Sequence, residues 1–120
     1  ECALALVHVL HTPILLAPVV GDMAMRTVFI EQAREKALEG LDRIARDLRS
    51  KGYTVETIVR EGDPADGLAE IANEMRASLI EMGTRGLTGL KRIVHGSVAD
   101  RTVRHASCPV LTVPRVPVHS

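Results

Sequence analysis

Residues 78–114, SLIEMGTRGLTGLKRIVHGSVADRTVRHASCPVLTVP, restrict what this chain can fold into more than any other part of it. A short apolar run, Ser78–Met82, leads into a glycine-rich connection, then a segment of helical character opening at Ser97, then a second apolar run, Pro109–Val113. Strand, glycine loop, helix, strand is the order of a phosphate-binding βαβ unit. Gly83 stands where the first strand must turn sharply, and a side chain at Gly86 or Gly96 would keep an anion away from the backbone. Ser97 reads as the cap of the following helix, with Asp100 in capping-box position, and Val98, Arg101, Thr102 and His105 complete about two turns. Free N–H groups at that helix start suit an anion. Arg85, Lys91 and Arg92 add positive charge to the connection, and Arg85 is the candidate ligand among them. The plainer alternative is that the glycines only build a tight turn, but a connection this long in a small domain argues for a function.

At 120 residues and 13.0 kDa the chain is expected to form one domain over residues 1–120. Lys plus Arg and Asp plus Glu number 15 each, so no global field attracts nucleic acid or an acidic surface, and any anion site must be local. One Phe, one Tyr and no Trp leave no platform for stacking bases, so no nucleic-acid partner is expected. Cys2 and Cys108 are too sparse for a disulfide framework and read as reduced core residues, which points to the cytoplasm. The apolar run ILLAPVV, between Pro13 and Gly21, is far too short to span a membrane, and no membrane partner is expected.

Along the chain, Ala3–Leu10 (ALALVHVL) is apolar on both faces, as in a strand buried within a parallel sheet. His11–Gly21 carries Pro13, Pro18 and Gly21 and reads as a connection. Asp22 is placed to cap a helix over Met23–Ser50, whose buried stripe is Ile30, Ala33, Ala37, Leu41, Ile44 and Leu48. Its other face, with Glu31, Arg34, Glu35, Arg46 and Arg49, is expected to be a solvated surface. Gly40 interrupts this helix and suggests close packing or a slight bend there. Lys51-Gly52 ends it, and Tyr53–Arg60 alternates like a strand at a sheet edge. Glu61-Gly62-Asp63-Pro64 turns into a second helix with Asp63 as cap, Pro64 at the first position and Leu68, Ile71, Ala72 and Met75 inward.

Enzyme chemistry finds little support. The Walker pattern G-x-x-x-x-G-K-[ST] is absent, and no Asp or Glu lies between Met82 and Asp100 to hold Mg²⁺ or orient a water. No nucleophile, base and acid stand at a diagnostic spacing, and His8, His11, His95 and His105 form no metal-ligand pattern with Cys or carboxylates.

The run MGTRGLTGLKRIVHGSVADRTVRHASCPVLTVP resembles the carboxy-terminal half of universal stress proteins of the ATP-binding type. The likeness is close over residues 78–114 and weaker over 4–9 and 53–76. It implies an α/β parallel-sheet, Rossmann-like/flavodoxin-like three-layer fold of the adenine nucleotide alpha hydrolase-like kind, with a nucleotide pocket at the carboxyl ends of the strands. It implies ATP or AMP, with or without Mg²⁺, its phosphates at Gly83, Gly86, Gly96, Ser97, Val98 and Ala99, supported by Arg85, with Met82 and Val9 near the ribose or adenine. It also implies a stress-response role, slow ATP hydrolysis or autophosphorylation at most, and a homodimer through residues 109–113 that proline at Leu111 should dissociate. The rival within the same fold is a nucleotide-free dimerisation or interaction module.

Two departures stand out against the family pattern. Glu81 takes the place of an aliphatic strand residue and must find Arg101 or Arg104, or reach solvent. More seriously, the family's opening strand, its Asp-bearing loop and its first helix have no counterpart, and the chain begins Glu1-Cys2-Ala3 without an initiator Met. In the family order 3-2-1-4-5 the absent strand is central, so Ala3–Leu10 and Ser78–Met82 are expected to lose their shared neighbour. An upstream segment, a strand donated by another chain, or direct pairing of the two would each close the gap.

Overall fold

The computed structural model describes residues 3–11, 23–83 and 97–114. Its elements alternate as β1 (Ala3–Leu10), α1 (Met23–Ser50), β2 (Thr54–Glu61), α2 (Pro64–Met75), β3 (Ile80–Gly83), α3 (Ser97–His105) and β4 (Val110–Val113). The described strands form two ladders, β1 with β2 and β3 with β4, both parallel. The chain is therefore α/β with parallel strands, divided into two compact units, Glu1–Pro64 and Ala65–Ser120. Direct pairing of β1 with β3 is not how these ladders are built. Among the described residues no helix is long and apolar enough to cross a membrane.

In the first unit β1 and β2 pair in register from Ala3 opposite Thr54 to Leu10 opposite Glu61. The Gly62 N–H continues the ladder by donating to the Leu10 carbonyl at 2.9 Å, from a φ of 135° that glycine accommodates freely. The long crossover α1 runs antiparallel to β2, as three contacts show. The Arg34 guanidinium donates to the Val59 carbonyl at 3.1 Å and to the Glu61 carboxylate at 2.6 Å. Thr57 Oγ1 donates to Asp42 Oδ1 at 3.4 Å, and Arg49 donates to the Val55 carbonyl at 2.6 Å. Fifteen helical residues rise roughly 22 Å and six strand residues roughly 20 Å, so the two sets of anchors keep step. Arg34 and Arg49 thus depart from the expected solvated face, because their long stems let the charged heads cover β2's outer edge.

The buried stripe of α1 also shifts from the expected one. Ala45 is fully buried, and Ile44 is 52% exposed at the rim. Small residues on the inward line bring helix and strands close without the volume an isoleucine would need. The helix ends in a Schellman motif, with Tyr53 N–H to the Leu48 carbonyl at 3.2 Å, Gly52 N–H to Arg49 at 3.0 Å, and Gly52 at φ 96°. Gly40 is a correction. A Cβ there would meet nothing within 4 Å, so neither tight packing nor special geometry requires a glycine. Gly40→Ala is expected to stabilise the fold by about 0.5–1 kcal/mol, read as a higher urea midpoint at unchanged slope. A lower midpoint would mean that space is tighter than the structure shows.

In the second unit α2 buries Ala65, Ala69, Ile71 and Ala72, while Met75, expected inside, is 40% exposed. The helix closes with a second Schellman motif, Ala77 N–H to Ala72 at 2.9 Å and Arg76 N–H to Asn73 at 3.2 Å. Here the left-handed residue is Arg76 at φ 53°, a position that usually selects glycine and that nothing in the local sequence signals. Ile80 stands opposite Val110 and Gly83 opposite Val113. Pro109, which has no N–H, still joins the ladder by accepting the Ile80 N–H at 3.0 Å.

Candidate functional site

The second unit carries five of the nine residues singled out from sequence, on two consecutive elements. Met82, half-buried, and Gly83, exposed, end β3; Ser97, Val98 and Ala99 form the first turn of α3. Arg85, Gly86 and Gly96 lie outside the described residues, as do Lys91 and Arg92. Val9 belongs to the first unit, half-buried near the end of β1 and opposite Arg60.

Ala99 is 5% exposed and Val98 half-buried, so what this turn can present to a ligand is its backbone. The first N–H groups of a helix have no acceptor within it and carry the positive end of its dipole. Side chains anchor the turn from below. Thr102 is fully buried, and its hydroxyl donates to the Val98 carbonyl at 2.7 Å, which leaves no unsatisfied polar atom in the core. The helix is thereby fixed as a rigid platform directly after the glycine-rich segment. Acidic Asp100 sits in its first turn and basic Arg104 and His105 in its last, the charge order that a helix dipole favours.

Glu81 takes the second of its two expected courses and is exposed to solvent. It shares one face of the β3–β4 ladder with Gly83, Leu111 and Val113, all of them exposed, while Ile80 on the other face is buried.

A pairing that sequence reading missed links α2 to α3. His105 Nδ1 lies 3.0 Å from Asp66 Oδ1, and Ser107 Oγ donates to Asn73 Oδ1 just beyond. Thirty-nine residues separate His105 from Asp66, and no local pattern could have indicated the contact. An Asp–His pair beside a serine invites comparison with hydrolytic triads, but the Ser107 hydroxyl is directed to Asn73. The two bonds instead fasten the α3–β4 turn along α2, from its first turn to its last. Among the described residues no three His, Cys, Asp or Glu side chains gather in a metal-binding group.

The chain was compared with known proteins against this geometry. A family model described as the universal stress protein family matches residues 1–114. The universal stress protein MJ0531 of Methanocaldococcus jannaschii is 42% identical over 83 residues, covering 69% of this chain and 49% of the relative. The chain spans about half the length of the curated relatives it matches. Among solved structures, that of the hypothetical protein MJ0577, from the same organism, superposes with a TM-score of 0.83 at 26% identity, over 97% of this chain and 78% of that one. A universal stress protein family protein from Arabidopsis thaliana, solved with AMP bound, superposes with a TM-score of 0.65 at 25% identity, over 93% and 64% of the two chains. Together with the parallel ladders, these likenesses assign the Rossmann-like/flavodoxin-like α/β fold.

Proposed function

The chain belongs to the universal stress protein family, and from that premise we propose that it binds an adenine nucleotide, ATP or AMP, through its glycine-rich segment and acts in stress response. The observation that carries the proposal is the order β3, glycine segment, α3 within one compact unit, with β3 ending on Gly83 and α3 opening on Ser97. Its support from outside is the AMP in the Arabidopsis relative. The phosphates would lie against Gly83, Gly86, Gly96 and the N–H groups of Ser97, Val98 and Ala99, with Arg85 contributing charge and Met82 and Val9 the adenosine side. Mg²⁺, if it accompanies the nucleotide, would be held by phosphate oxygens and water, because the segment from Gly83 to Ala99 contains no carboxylate.

Binding would act as a switch. A nucleotide that orders the glycine segment favours one surface over another, and a partner reads the difference. We read residues 1–120 as a single domain of this family, since the family match runs across both compact units, and we place it in the cytoplasm on its two unclustered cysteines. The competing reading, a nucleotide-free dimerisation module, draws on the exposed apolar Leu111 and Val113 of β4.

One experiment separates the two readings. Protein purified without added nucleotide is denatured, and the released small molecules are measured by absorbance and intact mass. An adenylate, or one taken up after incubation with ATP or AMP, is the expected result; failure to retain either nucleotide at millimolar concentration would leave the dimerisation module.

A further inference from the structure

The hydrogen-bond directions in the first unit identify an edge built to receive another strand. The Leu10 carbonyl accepts from Gly62, and Leu10 stands opposite Glu61. In a parallel ladder a residue bonds to the two neighbours of the one it faces, so the even positions of β1 turn their N–H and C=O toward β2. Ala5, Val7 and Val9 therefore turn theirs the other way. On β2 the same rule sends the groups of Val55, Thr57 and Glu61's neighbour Val59 outward, and the Val55 and Val59 carbonyls are indeed taken by Arg49 and Arg34. One outer edge of this sheet is thus covered by α1, and among the described residues no strand covers the other.

Nothing along β1 guards that open edge. It has no proline and no Lys, Arg, Asp or Glu, the devices by which exposed edges are normally protected. Side chains on both its faces are apolar apart from His8, yet only Leu10 is fully buried. An apolar strand of this kind belongs in the interior of a parallel sheet, and a two-stranded sheet is not stable by itself.

We propose that the outward edge of β1 binds an extended, uncharged polypeptide strand from outside these 120 residues, aligned parallel and bonded to Ala5, Val7 and Val9. A second copy of this chain is the less suitable occupant, because two copies related by a two-fold axis can join this edge only antiparallel. The solved relative MJ0577 has 22% of its length outside the superposition, room enough for a strand and a helix. The proposal is independent of the nucleotide reading.

The test is amide hydrogen exchange on the whole chain, with a short synthetic peptide of alternating valine and threonine, flanked by lysines, as the probe. Exchange at Ala5, Val7 and Val9 is expected to slow by about tenfold or more, with Leu6 and His8, which face β2, as internal references. Val7→Pro removes an outward donor without touching the β1–β2 ladder and should abolish the effect. A peptide with a central proline, added to the unaltered chain, serves the same purpose if that variant does not fold. Three results would overturn the proposal: the three amides already protected in dilute protein, protection rising with protein concentration alone, or no response to the peptide.

Discussion

Saturating ATP is expected to raise the melting temperature of this protein by about 10 °C, and Gly96→Val is expected to remove the rise. A ligand that binds only the folded state stabilises it by about 2.7 kcal/mol at a hundred times its dissociation constant, and in a domain of this size that is a shift of roughly this order. Gly96 immediately precedes the first residue of α3. Any phosphate approaching the N–H groups of Ser97 to Ala99 passes the backbone at Gly96, and a branched side chain there would occupy the space of the phosphate oxygens. The variant should keep the melting temperature of the free protein, which separates lost binding from lost folding. If Gly96→Val responds to ATP as the unaltered chain does, the phosphates lie elsewhere and the assignment of Gly83, Gly86 and Gly96 fails with them.

Periodicity made the long elements legible. The bounds of β1 and α1 coincide with those expected, because eight apolar residues and a seven-turn amphipathic pattern leave little freedom. The short strands moved by a residue or two: β2 runs Thr54–Glu61 instead of Tyr53–Arg60, and β3 Ile80–Gly83 instead of Ser78–Met82. Strand ends follow the partner's register, which a single segment does not encode. The two ladders themselves, β1 with β2 and β3 with β4, are those the family order leaves when its central strand is omitted.

What stayed hidden were side-chain reaches across the fold. Arg34 and Arg49 have the spacing of exposed helix residues, and only the placement of β2 beside α1 turns them into edge covers. Asp66 and His105 likewise read as ordinary helix-terminal charges until α2 and α3 are set side by side. At the candidate site, sequence supplied the glycines and the helix start, whereas the burial of Ala99 and the Thr102 bond beneath the turn came only from the structure.

The homodimer expected through the last strand yields the other large effect, and the structure changes how it must be tested. Pro109 accepts the Ile80 N–H while Ile80 stands opposite Val110, so positions 109 and 111 face β3 and the backbone groups of Val110 and Thr112 point outward. Leu111→Pro would therefore remove an inward donor and break the ladder itself, giving monomers by unfolding. Thr112→Pro is the selective variant. β4 has no charged residue, its outer edge is open among the described residues, and Leu111 and Val113 are 49% and 39% exposed. A second copy paired antiparallel across this edge would extend each sheet, an arrangement common at the margin of parallel sheets. Two-fold symmetry makes each lost hydrogen bond count twice, so Thr112→Pro should weaken association by roughly 2–3 kcal/mol, on the order of a hundredfold. Light scattering should then report a dimer for the unaltered chain and a monomer for Thr112→Pro at equal concentration, with the same circular dichroism spectrum for both. A dimeric Thr112→Pro, or an unaltered chain that stays monomeric at high concentration, would exclude the β4 edge as the interface.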